Sequence, residues 1–191
     1  MSAPPRSVCV FCGARNGLEP RYAEAARALG ALIAAEGWRL VYGAGDVGLM
    51  GEVARAATAA GAERFGVIPL HLLARERGRS GRRDHRGLVV TETMHERKKV
   101  MFVNSDAIVV LPGGAGTLDE FFEVLTWRQL GLHAKPIFLL DIDGYWQPLV
   151  ALVEHVIAHG FAEPGLRDFL RPVADVETLA DALRDALTPP A

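Results

Sequence analysis

The sequence predicts an α/β fold, a single doubly wound domain with a mainly parallel sheet and helices on both faces. Three observations carry this. Short apolar runs rich in β-branched residues alternate with longer segments of helical periodicity along nearly the whole chain. Glycines cluster where apolar runs end and helices open. The length of 191 residues suits one domain with a sizeable core, and no internal repeat, low-complexity linker or composition break divides it.

Val8–Phe11 reads as the first strand, followed by a glycine-containing loop and a helix over Pro20–Ala35. Proline suits the first helical position and Gly37 the stop. Arg39–Tyr42 is the second strand, Leu49–Ala60 the next helix, and Phe65–Ile68 a third strand closed by Pro69. The segment Arg75–Gly87 breaks the rhythm, carrying Arg75, Arg77, Arg79, Arg82, Arg83 and Arg86 with no apolar stripe. It reads either as a solvated surface loop or as a lid that draws anions to a crevice. A strand over Leu88–Thr91, a helix over Met94–Asn104 and a strand over Ala107–Leu111 follow. Next come a helical pattern from Phe121 to Leu130, a strand over Pro136–Leu140 and a helix over Tyr145–His159. A short strand over Leu170–Val173 and a helix over Val176–Leu187 complete the domain, and the tail Thr188-Pro-Pro-Ala is expected to fray.

Composition narrows the function classes. Half the residues are hydrophobic but dispersed, and no run approaches a membrane-spanning length. The N-terminus leads straight into a strand rather than a signal-peptide core, so a cytoplasmic protein is expected. A net charge of −2 argues against a general nucleic-acid or membrane partner. Cys9 and Cys12 are spaced C-x-x-C. Strand alternation sends positions three apart to opposite faces, and no second cysteine pair completes a zinc site, so both are expected as small buried hydrophobes. The six histidines show no metal-ligand spacing, and no metal or cofactor is expected.

The stretch Pro112-Gly113-Gly114-Ala115-Gly116-Thr117-Leu118-Asp119-Glu120 concentrates the chemistry. A strand, a glycine turn and a helix in that order let backbone approach an anion, which meets unpaired N–H groups and the positive dipole end. Glu120 is the unusual member, a carboxylate beside a site shaped for an anion. Thr117 to Glu120 is also spaced as a capping box, and spacing alone gives that role and a catalytic one comparable weight. Thr93 to Glu96 is a second such box, opening the helix that bears Arg97. Arg97 shares a helix face with Val100 and Met101, and an arginine among apolar neighbours is either ion-paired internally or bound to an anion. Gly43-Ala44-Gly45-Asp46-Val47-Gly48 matches G-x-G-x-x-G, but no acid ends the next strand to hold a ribose, so a glycine turn is expected rather than a dinucleotide site.

With these residues in place, the chain resembles the LOG family, the cytokinin riboside 5′-monophosphate phosphoribohydrolases, whose members often carry the label lysine decarboxylase. The likeness runs through Val-Cys-Val-Phe-Cys-Gly at 8–13, Leu-Val-Tyr-Gly at 40–43, Gly-Leu-Met-Gly at 48–51 and Gly-Val-Ile-Pro at 66–69. It continues through Met-His-Glu-Arg-Lys at 94–98, Pro-Gly-Gly-Ala-Gly-Thr at 112–117 and Leu-Thr-Trp-Arg-Gln-Leu-Gly at 125–131. The resemblance implies a Rossmann-like nucleotide-binding hydrolase domain over 1–191, homodimeric. The implied reaction is hydrolysis of the bond between base and ribose 5-phosphate in a plain or N6-modified adenosine 5′-monophosphate. It implies Arg97 and Glu120 as the catalytic pair. Substrate contacts are implied from Glu76, Lys98, Gly113, Gly114, Ala115, Gly116, Thr117, Asp119 and Thr126. Molybdenum-cofactor carriers share a similar fold without this hydrolysis and are the alternative. The chain departs from the family's usual pattern at Ala14, where serine is common, at Ala44, where a third glycine is common, and at Asp119, where glutamate is common. Its Arg75–Arg86 loop is longer and richer in arginine. Met94, Met101 and Trp127 are candidates for the base-binding wall, or for ordinary core.

Overall fold

Alternating strands and helices are built here into one sheet with two covered faces. The computed structural model describes residues 4–73 and 87–188. The strands are β1 (Ser7–Phe11), β2 (Arg39–Tyr42), β3 (Arg64–Pro69), β4 (Leu88–Thr91), β5 (Ala107–Val110), β6 (Ile137–Leu140) and β7 (Leu170–Val173). The helices among the described residues are α1 (Pro20–Ala35), α2 (Gly48–Ala59), α3 (Met94–Val103), α4 (Ala115–Gln129), α5 (Gln147–Ala158) and α6 (Val176–Leu187). The arginine-rich stretch and Glu76 lie outside the described residues.

Every neighbouring strand pair is parallel, so the sheet is parallel throughout rather than mainly so. Its order is β4-β3-β2-β1-β5-β6-β7. From β1 the chain lays strands outward on one side, then returns and lays the rest on the other. The C-terminal ends of β1 and β5 therefore sit side by side where the winding reverses, the place at which open parallel sheets bind ligands.

Strand alternation divides the core. Val8, Val10 and Cys12 face a layer formed by α1, α2 and α6, with Leu29, Ile33, Val53, Leu179 and Leu183 packed against them. Cys9 and Phe11 face the other layer, with Met101 of α3, Phe121, Val124 and Leu125 of α4, and Leu149 and Val153 of α5. The central strands are buried on both faces, which explains their nearly unbroken apolar sequences.

One helix begins earlier than its apolar pattern. α4 opens at Ala115 on Gly114 as N-cap, six positions before the apolar pattern begins at Phe121. The pattern marks only where the helix meets the core; its first turn projects beyond the sheet and buries little. The helix expected over Tyr145–His159 is observed as α5, with a proline in its first turn and a 3-10 turn at Ile142–Gly144 just before it.

The cysteines behave as period-2 alternation requires, one in each core layer, both free thiols and buried. Burial is the main cause that pushes both thiols well above the ordinary cysteine range, with the Glu120 carboxylate adding to it. Neither is therefore a nucleophile at neutral pH. In the native protein at pH 8 both thiols are expected to be silent to a thiol-disulfide exchange reagent and to react fully after unfolding, read as absorbance of the released thiolate. A rapid native phase would refute their burial.

Candidate active site

The site grows out of the β1–β5 junction. Leu111 N donates to Phe11 O at 2.9 Å, and Gly13 N donates to Pro112 O at 3.0 Å, so the parallel ladder runs on into the two loops. Met50 N, in the first turn of α2, donates to Gly13 O at 3.4 Å and ties in a third element. These loops wall a cavity of about 470 Å³ lined on the β1 side by Cys12–Gly17 and on the β5 side by Pro112–Gly114, Gly116, Thr117 and Glu120. Leu49, Met50, Met94, Arg97, Tyr22 and Tyr145 complete it.

On the β5 side, Gly114 is the N-cap of α4 and no side chain caps this end. The first N–H groups and the positive end of the helix dipole are thus presented at a cavity wall, an arrangement suited to a phosphate. Tyr145 holds the turn in place. Its hydroxyl donates to Gly113 O at 2.7 Å, while its ring packs edge-on against Tyr22 at 5.5 Å. The helix start removes the capping reading of Glu120. Thr117 is the third helical residue and Glu120 the sixth, so the Thr117–Glu120 spacing is not a cap, and Glu120 lies in the second turn with its side chain half-buried at the cavity. The same spacing at Thr93 is a true capping box. There the Thr93 hydroxyl accepts from Glu96 N at 3.1 Å and the Glu96 carboxylate accepts from Thr93 N at 3.1 Å.

Arg97 projects from α3 and is only 4% exposed. Its Nε donates to Val67 O at 3.2 Å, and a terminal nitrogen donates to Gly43 O at 2.7 Å. Carbonyls of Val67 within β3 and of Gly43 just past β2 therefore aim the guanidinium, which lines the cavity together with Glu120. This close approach explains Gly43. A Cβ there would stand 2.0 Å from the terminal nitrogen of Arg97. The glycine turn makes room for an arginine, not for a pyrophosphate. Ala44, beside it, holds φ of +59°, the left-handed region that favours the glycine usual in the family.

The remaining predicted contacts fall elsewhere. Lys98, next to Arg97 but a third of a turn round the helix, is 6% exposed and turned toward α4. Its Nζ donates to Asp119 at 3.1 Å and pairs with Glu123. Burial alone would lower the Lys98 pKa, but hydrogen bonds and charges from Glu123 and Asp119 outweigh it and hold the ammonium above the ordinary lysine range. Lys98 and Asp119 are thus spent on each other and are not among the lining residues. Thr126 is exposed on α4, its hydroxyl donating to Phe122 O at 2.7 Å, also away from the lining. Among the three candidates for a base wall, Met94 lines the cavity. Met101 is core, and Trp127 packs on Phe102. Tyr22, Met50, Tyr145 and Arg15 are lining residues that pattern reasoning did not single out, because only the sheet order brings their segments together.

Across residues 50–183 the chain matches the sequence model of a family described as possible lysine decarboxylase. The chain belongs to this family. Among its curated relatives, a Rhodococcoides fascians protein named cytokinin riboside 5′-monophosphate phosphoribohydrolase is 43% identical, the match covering 94% of this chain and 90% of that one. An Arabidopsis thaliana protein of the same name is 40% identical over 94% of this chain and 82% of its own. Solved structures with the same fold include the molybdenum cofactor binding protein of Rippkaea orientalis, with a TM-score of 0.72, 23% identity and coverage of 98% and 100%. The Chlamydomonas molybdenum-cofactor carrier follows at 0.70 and 22%, covering 97% of this chain and 99% of that one. At such identities these two show the fold alone.

The Gly43–Arg97 contact yields a prediction. Gly43→Ala is expected to lower the unfolding free energy by about 1–3 kcal/mol, the scale of displacing a buried, hydrogen-bonded cation. In an Arg97→Ala background the same change should cost much less. Denaturant titration of the double-mutant cycle checks this. Equal penalties in both backgrounds would remove Arg97 as the cause.

Proposed function

We propose that the protein hydrolyses the N-glycosidic bond of a nucleoside 5′-monophosphate, adenosine monophosphate or an N6-modified form of it, to free base and ribose 5-phosphate. The carrying observation is that one cavity at the winding reversal is lined together by Arg97, Glu120 and the N-terminus of α4. The curated relatives carry the name of this reaction.

The chemistry uses each part. Gly113, Gly114, Ala115, Gly116 and Thr117 receive the 5′-phosphate with backbone N–H groups at the helix start. As the bond to the base breaks, the bonding electrons leave with the base and positive charge develops at C1′ and the ring oxygen. The Glu120 carboxylate stabilises that charge and takes a proton from the water whose oxygen adds to C1′; the departing base takes a proton from solvent, and Glu120 returns its own to solvent. Arg97, aimed by two carbonyls, orients the nucleotide or stabilises the departing negative charge. The reaction as written needs no cofactor. Lys98 supports it from outside the cavity by pinning α3 to α4, and so Arg97 to Glu120.

We also propose that the protein is cytoplasmic and a homodimer. Phe122 of α4 and Val103, Leu130 and Leu132 at the ends of α3 and α4 are exposed large apolar side chains. The packing of Phe102 on Trp127 and His133 brings those two ends together. Thr126, one turn from Phe122, shares this face, so a Thr126 contact with substrate calls for a second copy of the chain. Sedimentation is expected to give twice the 20.6 kDa chain mass, and Leu132→Glu to shift it toward one. A wild-type monomer would refute the dimer.

Purified protein is expected to release base and ribose 5-phosphate from adenosine monophosphate and from its isopentenyl form. Glu120→Gln should lower kcat by about 10²–10⁴-fold, the range for loss of a positioned acid–base group. Wild-type turnover in Glu120→Gln would overturn the assignment. A co-purified pterin with no base release from any nucleotide would favour the carrier alternative.

A further inference from the structure

We propose that Arg15 is the residue that neutralises the second negative charge of the ligand's phosphate and so makes the site selective for 5′-phosphorylated ribosides. The inference rests on the proposed function and deepens it.

A charge count leads there. A phosphate monoester carries about −1.5 to −2 at neutral pH. The N-terminus of α4 supplies the equivalent of roughly half a positive charge. Of the charged side chains that line the cavity among the described residues, Glu120 is negative while Arg97 and Arg15 are positive. Arg97 balances Glu120, and two of its nitrogens already donate to Gly43 and Val67. Lys98 is held by Asp119 and Glu123 outside the lining. Among the described lining residues, Arg15 is therefore the cation left to meet the phosphate.

Arg15 is available for this role where neighbouring arginines are not. Arg21 is paired with Glu19 and Asp143, and Arg55 with Glu52 and Asp46 O. Arg15 makes no side-chain hydrogen bond or ion pair among the described residues, although its backbone is firmly seated. Gly13 is bonded to Pro112 and to Met50. At Gly48, φ is +60°, and a Cβ would stand 2.2 Å from Ala14 C and 2.3 Å from Arg15 N. The start of α2 therefore packs directly on the Ala14–Arg15 backbone. A fixed Cα with an uncommitted guanidinium puts a cation on the β1 side of the crevice, with the α4 N-terminus on the β5 side. A phosphate between them is gripped from both, by planar fork and by backbone N–H groups.

The test is Arg15→Gln, with Arg15→Lys as the charge-retaining control, in steady-state kinetics and in calorimetric titration with ribose 5-phosphate. Arg15 is exposed, so both variants are expected to fold. Arg15→Gln should raise KM for adenosine monophosphate and the inhibition constant of ribose 5-phosphate by a common factor of about 10–100, the scale of a charge-assisted hydrogen bond. Its kcat should stay within about twofold, and Arg15→Lys should recover a large part of the loss. Adenosine, which lacks the phosphate, should bind both forms equally. Unchanged ribose 5-phosphate affinity in Arg15→Gln, or an equal loss for adenosine, would overturn the proposal. If the wild type hydrolyses no nucleotide, the functional reading fails by itself and the titration still decides. Ribose 5-phosphate bound at least tenfold more weakly by Arg15→Gln supports Arg15, and equal binding or none to the wild type refutes it.

Discussion

The parallel pairing of β1 with β5 is the constraint on which the rest depends. In sequence the ends of these strands are separated by about a hundred residues, yet Phe11 bonds to Leu111 and Gly13 to Pro112. Because β5 returns to the free side of β1, the helices that follow the two strands lie on opposite faces, and the loops splay apart above the sheet. A strand order without that reversal would place the glycine turn over a closed ridge, and α4 would have no crevice to face.

Two adjacent cations on α3 use this frame in different ways. Consecutive residues on a helix are about 100° apart, so Arg97 reaches the sheet edge while Lys98 reaches α4. Both are nearly buried, and burying a charge is costly unless it is paired and hydrogen-bonded. The carbonyls of Gly43 and Val67 accept from Arg97, and two carboxylates pair with Lys98. The cost of burial is offset only when α3 sits in one position against both the sheet and α4. The same contacts that remove the penalty also set where Arg97 points relative to Glu120. Stability and active-site geometry are thus coupled through a single dipeptide.

The fold was legible because its signals are local. Parallel strands buried on both faces must be apolar throughout, and helices between them must carry an apolar stripe, so the element order could be read along the chain. The cysteines illustrate the reach of this reasoning: period-2 alternation alone assigns them to opposite faces. The limit appears at Thr117. Thr93-x-x-Glu96 and Thr117-x-x-Glu120 are the same pattern, but only the first is a cap. In the second, the preceding residues are Gly-Gly-Ala-Gly, which have almost no side chains to reveal that the helix has already begun. Gly114 ends the turn through its backbone, and backbone conformation at glycine leaves little trace in sequence.

The sequence by itself determined the doubly wound class, the two core layers, and the identity of Arg97, Glu120 and the glycine turn as the residues to watch. These follow from periodicity, residue chemistry and motif spacing, which are properties of short segments. The tertiary structure alone decided that α2, α3, α4 and the β1 loop meet at one cavity, and that Lys98 and Asp119 pair with each other instead of lining it. It also decided that Gly43 admits an arginine and that Arg15 stands at the wall with no side-chain partner among the described residues. Each of these depends on strand order and on the approach of segments distant in sequence. Hydrophobic patterning specifies that a face is buried; it does not specify which partner buries it.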